Sequence, residues 1–294
     1  MKIAFKKMLV VFTIFIVSLC SFSSYSFAES IQSINVNQKS IVYPTPIENN
    51  QEIFIHVDAY GNPTIEVPDK YNTEKNNIEV YNNSVSTIGF TSDAMPDAGN
   101  KRIRVSSIVS KITGNSPSQV SIAFQLYRAS TRSGSMRLEA SSFKSLLFPS
   151  MGSSTSDYIN LSRTGYYKVR FTYSMAYTTG ERPTSATTET GVTLLNRMAR
   201  EFPGGYTDPI SGSSIGEPNA DWTKTSSPVS WTKTDRNNFR NWYISTYNQP
   251  NYNWTNVEIH HIQPREYGGT NSYSNLIPLP KGVHTLYTSW FAGY

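Results

Sequence analysis

Apolar and polar residues alternate with a period of two through much of the first part of the chain. Val120, Ile122, Phe124 and Leu126 fall on one side of a run whose other side carries Ser121, Ala123, Gln125 and Tyr127. Tyr167, Val169, Phe171, Tyr173 and Met175 alternate with Lys168, Arg170, Thr172 and Ser174. Ile53, Ile55 and Val57 repeat the pattern, as do Ile103 and Val105 against Arg102 and Arg104. Such alternation predicts strands with one buried and one wet face, because successive strand side chains point to opposite sides. Tyr60-Gly61-Asn62-Pro63 and Thr113-Gly114-Asn115 are turn signals between them. Many short strands of this kind predict an antiparallel, sandwich-like sheet domain over residues 29–190. The serine-rich run Ser150–Ser156 reads as a long loop.

The period changes further on. Leu194, Leu195, Met198 and Phe202 recur at helical spacing and stop at Pro203-Gly204-Gly205, which predicts a helix. Gly, Pro, Ser and Thr then dominate to about residue 230, so residues 191–230 read as that helix plus an irregular connection. A helix over Asp235–Tyr247 follows, capped by Thr234, with Phe239, Trp242, Tyr243 and Thr246 in one stripe. Lys281–Trp290 predicts another, presenting Val283, Leu286, Tyr287 and Trp290 on one face. Residues 231–294 thus form an α+β C-terminal domain behind the β-rich one.

Composition narrows the classes. Nineteen Tyr, 14 Phe and 5 Trp bury too much apolar surface for a disordered chain, and a lone cysteine, Cys20, cannot build a disulfide scaffold. With 16% charged residues, a long coiled coil is excluded as well. The first residues belong to neither domain. Lys2, Lys6 and Lys7 precede an apolar run from Met8 to Cys20, and Ser26-Phe27-Ala28 offers a small-residue exit. This is the form of a secretory signal peptide over residues 1–28, so a secreted, extracellular protein is expected. The run is shorter than the ~20 residues of a spanning helix, so no stable membrane span is expected after its removal. Leu19 is too bulky for a lipoprotein signal ending at Cys20. Three lysines leave with the peptide, lowering the formal charge from +5 to +2.

Candidate chemistry gathers at the other end. All five tryptophans lie from Trp222 onward, and three of four histidines from His260 onward. His56 alternates within a strand and reads as structural. Val257-Glu258-Ile259-His260-His261-Ile262-Gln263-Pro264 suits a short strand, and Gly268-Gly269 permits a tight reversal. Asn275-Leu276-Ile277-Pro278-Leu279 suits a return strand, although Pro278 limits its pairing. A helix across this hairpin can bring His284 to His260. Phosphodiester cleavage needs a base to deprotonate water, which a histidine of pKa about 6.5 suits. It also needs positive charge near the phosphate, which a divalent cation on neutral imidazoles supplies.

The stretch Glu258–His284 resembles the HNH nuclease family. Its ββα-metal motif is shared by bacteriocin DNases, homing endonucleases and CRISPR-associated nuclease domains. The matching residues are His260-His261, Pro264, Gly268-Gly269, Asn275-Leu276 and His284. The resemblance implies a metal-dependent endonuclease in which His261 is the general base. His260 would be the first metal ligand, where other members often have Asp, and His284 the second. Asn275 would brace the loop between the strands, and Glu258 would orient a histidine as an acceptor. Arg265 and Arg240 are candidate phosphate contacts. Bacteriocin-type members carry a further histidine four residues after the helical ligand, and here that position is Thr288. Two protein ligands with water and phosphate favour Mg²⁺ or Mn²⁺, with Zn²⁺ or Ni²⁺ also suited to imidazole.

From Trp231 onward, Lys233, Arg236, Arg240, Arg265 and Lys281 face Asp235, Glu258 and Glu266. That small excess predicts modest, salt-sensitive affinity for nucleic acid. DNA is the favoured partner over RNA, cutting is expected to leave a 5′-phosphate by analogy, and a protein inhibitor is compatible with a toxin role. The alternative is a secreted β-rich binding or surface protein whose C-terminal module keeps the fold without catalysis, a reading that Thr288 supports.

Overall fold

A computed structural model describes residues 51–58, 60, 62–68, 84–178 and 184–294, all within one compact unit spanning residues 41–294. The signal peptide expected over residues 1–28 lies outside the described residues. Every strand pairing in the fold is antiparallel.

Two sheets make the larger part. The first has the order β2-β1-β3-β4-β7, formed by β1 (Gln51–Asp58), β2 (Pro63–Glu66), β3 (Ser84–Asp97), β4 (Arg102–Gly114) and β7 (Ser154–Asn160). The second runs β10-β8-β5-β6, from β5 (Gln119–Ala129), β6 (Arg137–Leu147), β8 (Gly165–Ala176) and β10 (Thr193–Leu195). Strand β9 (Thr184–Glu189) shares the outer edge of β8 with β10: β9 pairs Arg170–Met175 and β10 pairs Gly165–Tyr167.

The alternating residues close the space between the sheets. Ile53, Ile55, Ile88, Phe90 and Val105 from the first meet Val120, Ile122, Phe124, Leu126, Val169 and Phe171 from the second in one buried cluster. Phe90 and Tyr173 stack across the interface at 4.3 Å. Each such side chain contributes about 1.5–3 kcal/mol by leaving water, which is why the polar residues between them are left outside. His56 is buried and structural in its contacts, facing Thr87 Oγ1 and Glu66 Oε2 at 3.0 Å each.

Three expectations need correction. Leu194–Phe202 is a tight hairpin rather than a helix. Leu195 enters the sandwich core while Leu194 and Phe202 enter a second one, so the apolar residues serve two cores instead of one helical stripe. Asn196 holds the turn, its Oδ1 accepting from the backbone N–H groups of Met198 and Arg200, both at 3.0 Å. Local side-chain bonding of this kind competes with a helix and here prevails. Second, the run Ser150–Ser156 is only partly loop, because Ser154–Ser156 pair with β4. Serine is a weak strand former alone, and an existing edge overrides that preference. Third, the helix α1 (Lys233–Thr246) begins earlier than expected. Thr232, not Thr234, is its cap, in a reciprocal capping box with Asp235.

After β10, the short hairpin β11 (Tyr206–Thr207) and β12 (Ser214–Ile215) leads to α1. A second two-stranded sheet follows, β13 (Val257–His261) with β14 (Leu276–Pro280), and β14 runs directly into α2 (Lys281–Phe291). One face of this sheet packs Ile259 and Leu276 on Phe239 and Tyr243 of α1. Its other face places Ile277 and Leu279 with Tyr287 and Trp290 of α2, and with Tyr166, Leu194 and Phe202 of the preceding part. The C-terminal residues therefore share a core with the sandwich. Among the described residues no helix is long and apolar enough to cross a membrane.

Candidate active site

Among the described residues strand β13 has a partner on one side only. Its free edge lies between α1 and α2 and forms the floor of a cleft of about 460 Å³. Consecutive residues Glu258 to His261 all reach a cleft that lies along an edge, although their side chains alternate in direction. His260 sits opposite Ile277 and turns toward α2, whereas His261 sits opposite Leu276, on the α1 side, beside Trp231. The strand ends at His261, with one further backbone bond from Ile262 N–H to the Asn275 carbonyl, and both histidines are buried where they line the cleft.

The hairpin loop is shaped from within. Gly268 has φ 87°, and a Cβ on Gly269 would lie 1.8 Å from the Gln263 carbonyl oxygen, so neither position accepts a side chain without distortion. Asn275 braces the same loop. Its Oδ1 accepts from Gln263 N–H at 2.8 Å, and its Nδ2 donates to the carbonyls of Gln263 and Thr270 at 3.1 and 2.9 Å.

Helix α2 delivers His284. Its ring lies 5.2 Å from that of His260, edge to face. Tyr287 and Phe291 flank His260 at 5.7 and 6.3 Å, completing a largely apolar surround. Burial, followed by the neighbouring imidazoles of His284 and His261, holds His260 down to about 3. Burial also lowers His261, with the Arg265 guanidinium adding to the effect and the Asn271 hydrogen bond opposing it. His284 is lowered by burial and partly restored by the charge of Glu258. All three rings are therefore neutral at neutral pH, with lone pairs free for a proton or a metal.

The donor set fits a divalent cation. His260 Nε2 is buried with no hydrogen-bond partner among the described residues, an arrangement native proteins rarely leave unexplained. Two imidazoles 5.2 Å apart can both reach one ion at bonds of about 2.0–2.1 Å. Among the described residues no group of three or more His, Cys, Asp or Glu is placed to hold a metal. The set thus consists of two protein nitrogens. The Thr288 hydroxyl donates to the His284 carbonyl at 2.9 Å and lies 3.5 Å from His284 Nδ1.

Of the remaining expected residues, Glu258 lines the cleft, but among the described residues it forms no hydrogen bond to an imidazole. It acts on His284 through charge alone. The strand leaves Glu258 exposed where orientation by a hydrogen bond would have needed burial beside a ring. Arg265 lines the cleft and donates to the Val229 carbonyl at 2.8 Å. Arg240 lines it too, with its guanidinium 5.3 Å from the Trp254 ring and its Nε buried without a hydrogen-bond partner among the described residues.

Three residues were not anticipated. Asn271 Nδ2 donates to the Ser230 carbonyl at 2.8 Å, which turns Oδ1 toward His261 Nε2 at 3.0 Å. Because that oxygen only accepts, His261 carries its proton on Nε2 and its lone pair on Nδ1. Trp231 stands edge to face with His261 at 4.8 Å, and Arg236 lies 5.7 Å from Trp231 on the cleft wall. Spacing carried no signal for Trp231 or Arg236. The Asn271 position, shortly after the glycine pair, was the one hint available.

No protein-family model matches the chain, and no curated protein or solved structure matches it.

The depressed histidines make a stability prediction. Folding keeps His260 neutral, while the unfolded chain protonates it below about pH 6.5. Stability is therefore full above that pH and is lost as pH falls from about 6.5 toward 3, with a slope approaching 1.4 kcal/mol per pH unit. Urea unfolding of the chain in EDTA between pH 7 and 4 measures this, and His260→Gln should flatten the slope.

Proposed function

We propose that the chain is an exported metal-dependent endonuclease that hydrolyses phosphodiester bonds of nucleic acid, DNA before RNA. We read the unit β13–β14–α2 as a ββα-metal motif of the HNH type. The observation that carries this reading is the 5.2 Å approach of His260 and His284 from separate elements, in a cleft that His261 also lines.

The residues divide the work by their protonation and position. His261 Nδ1 takes the proton of a water molecule as the water oxygen attacks phosphorus. The imidazolium that results keeps its Nε2–H bond to Asn271. The bond from phosphorus to the 3′ oxygen breaks, that oxygen takes a proton from solvent, and a 5′-phosphate remains on the other fragment. Arg236, Arg240 and Arg265 line the cleft and offset the charge of the bound phosphates. His260 and His284 would hold a divalent cation, Mg²⁺ or Mn²⁺ before Zn²⁺ or Ni²⁺, supplying positive charge to the phosphate and the departing oxygen. Trp231 shields one side of His261 from bulk water.

Supercoiled plasmid tests the reading. With Mg²⁺ or Mn²⁺ the purified chain should convert it to nicked and linear forms, and EDTA should abolish the conversion. No conversion with any of the four metals rejects the proposal in favour of a binding module that does not cut.

A further inference from the structure

A second groove, of about 450 Å³, opens between the sandwich and the C-terminal residues. Tyr267 lines both this groove and the catalytic cleft, so the two share a wall. Exposed Arg163, Arg197 and Lys224 stand on the groove, and Asp221, the one Asp or Glu among the lining residues, is already ion-paired to buried Arg128. Arg163 is held by a bidentate bond to Glu139, and Lys224 lies 3.6 Å from Glu266 in a pair that is exposed on both sides. Such an exposed pair holds its lysine weakly. Arg197 has no carboxylate partner among the described residues.

Aromatic rings run between these cations and the histidines. Phe291 is 6.3 Å from the His260 ring and 6.4 Å from Trp222, nearly parallel to the latter. Trp222 is half-buried and lines the groove beside Tyr294, whose hydroxyl accepts from the Trp222 N–H at 2.8 Å. Tyr294 in turn packs on Tyr267 at 4.6 Å. Tyr267 is buried, whereas Trp222, packed against Phe291 and Tyr294, is only half-buried where it lines the groove. A cationic groove with an accessible ring in it is the physical arrangement that binds single strands: cations follow the phosphates, and a base stacks on the ring. A duplex keeps its bases stacked on each other and offers none to Trp222.

We infer that this groove binds a single-stranded nucleic-acid segment flanking the cleavage point, with phosphates on Arg197 and Lys224 and a base against Trp222. The inference rests on the nuclease reading for its role in cleavage, but not for binding itself. On this account the sandwich side of the molecule takes part in substrate capture, through Arg197 in the turn after β10.

Fluorescence anisotropy of a labelled single-stranded oligonucleotide, measured in EDTA on the full His261→Ala chain, tests it without cleavage. Adding Arg197→Glu and Lys224→Glu should weaken binding at least tenfold and reduce the salt slope by about 1.4, at about 0.7 per lost phosphate contact on a single strand. Trp222→Ala should weaken single-strand binding about fivefold or more and leave duplex binding within twofold. Because Trp222 also packs on Phe291, circular dichroism melting accompanies that variant, whereas the two exposed cations report independently of packing. Unchanged affinity in the double charge variant, or equal losses for single strand and duplex, overturns the inference even if plasmid is cut. Loss of binding in that variant while the parent chain cuts no plasmid upholds the groove and rejects the nuclease reading.

Discussion

If the proposed mechanism holds, replacing His261 by alanine should lower the rate of plasmid cleavage by about 10²–10⁴-fold, the usual contribution of a positioned general base. The reason lies in the hydrogen bonds around the ring. Asn271 is fixed by the Ser230 carbonyl and receives the Nε2 proton, so Nδ1 is the only nitrogen of His261 free to accept one from water. Alanine offers no acceptor, and the water retains its proton. The His260 and His284 rings face each other without help from His261, so the variant should bind Mn²⁺ as the parent does, by calorimetry. Removing the ring also leaves Trp231 without its edge contact, so a melting curve must accompany the rate. A folded, metal-competent variant that cuts as fast as the parent would sink the assignment of His261 as base.

The second large effect is on stability. Trp290→Ala should cost about 3–5 kcal/mol, read as a shift of the urea midpoint. Trp290 is 2% exposed and lies against Phe202 at 5.0 Å, edge to face. Its Nε1 donates to the Arg200 carbonyl at 3.0 Å. Deleting the indole opens a cavity between α2 and the Leu194–Phe202 hairpin, and it leaves that carbonyl with only the Asn196 N–H, at 3.0 Å, as its donor. Trp290→Phe retains most of the packing and forfeits the hydrogen bond, so it should cost about 1 kcal/mol. Because His284 rides on the same helix, cleavage should fall with stability in the alanine variant and be largely kept in the phenylalanine one. Equal midpoints for parent and Trp290→Ala would show that the helix is not anchored there.

Much of the sheet architecture was legible because burial on one face imposes a period of two, and β5 and β8 carry it without interruption. The helix α2 was legible at its own period, with Tyr287 and Trp290 buried as expected, whereas Leu286, expected on the same face, is exposed. The hairpin at residues 194–202 was not. Its apolar spacing mimics a helix, and only the tertiary arrangement reveals that Leu194 and Leu195 point into different cores. Strand β7 was masked by serines, whose pairing depends on the edge that β4 provides.

The convergence of His260 and His284 could be anticipated from a strand, a glycine reversal, a return strand and a helix. What escaped notice depends on distance in sequence rather than type. Asn271 matters through a bond to Ser230, and Trp231 through a contact across to His261. Neither relation has a spacing that repeats or a residue type reserved for it. Glu258 is exposed on β13, and its charge raises the pKa of His284 against the effect of burial.

The turn at Asn196 reaches further than its own hairpin. Asn196 Nδ2 donates to the Trp290 carbonyl at 2.7 Å, and Arg197 N–H donates to the Gly293 carbonyl at 3.0 Å. The tail of the histidine-bearing helix is thus stitched to a loop that closes the sandwich. Grafting the last two strands and helix onto a foreign carrier would sever those stitches. A portable version of the β13–β14–α2 unit must carry the Leu194–Phe202 hairpin as part of its cargo.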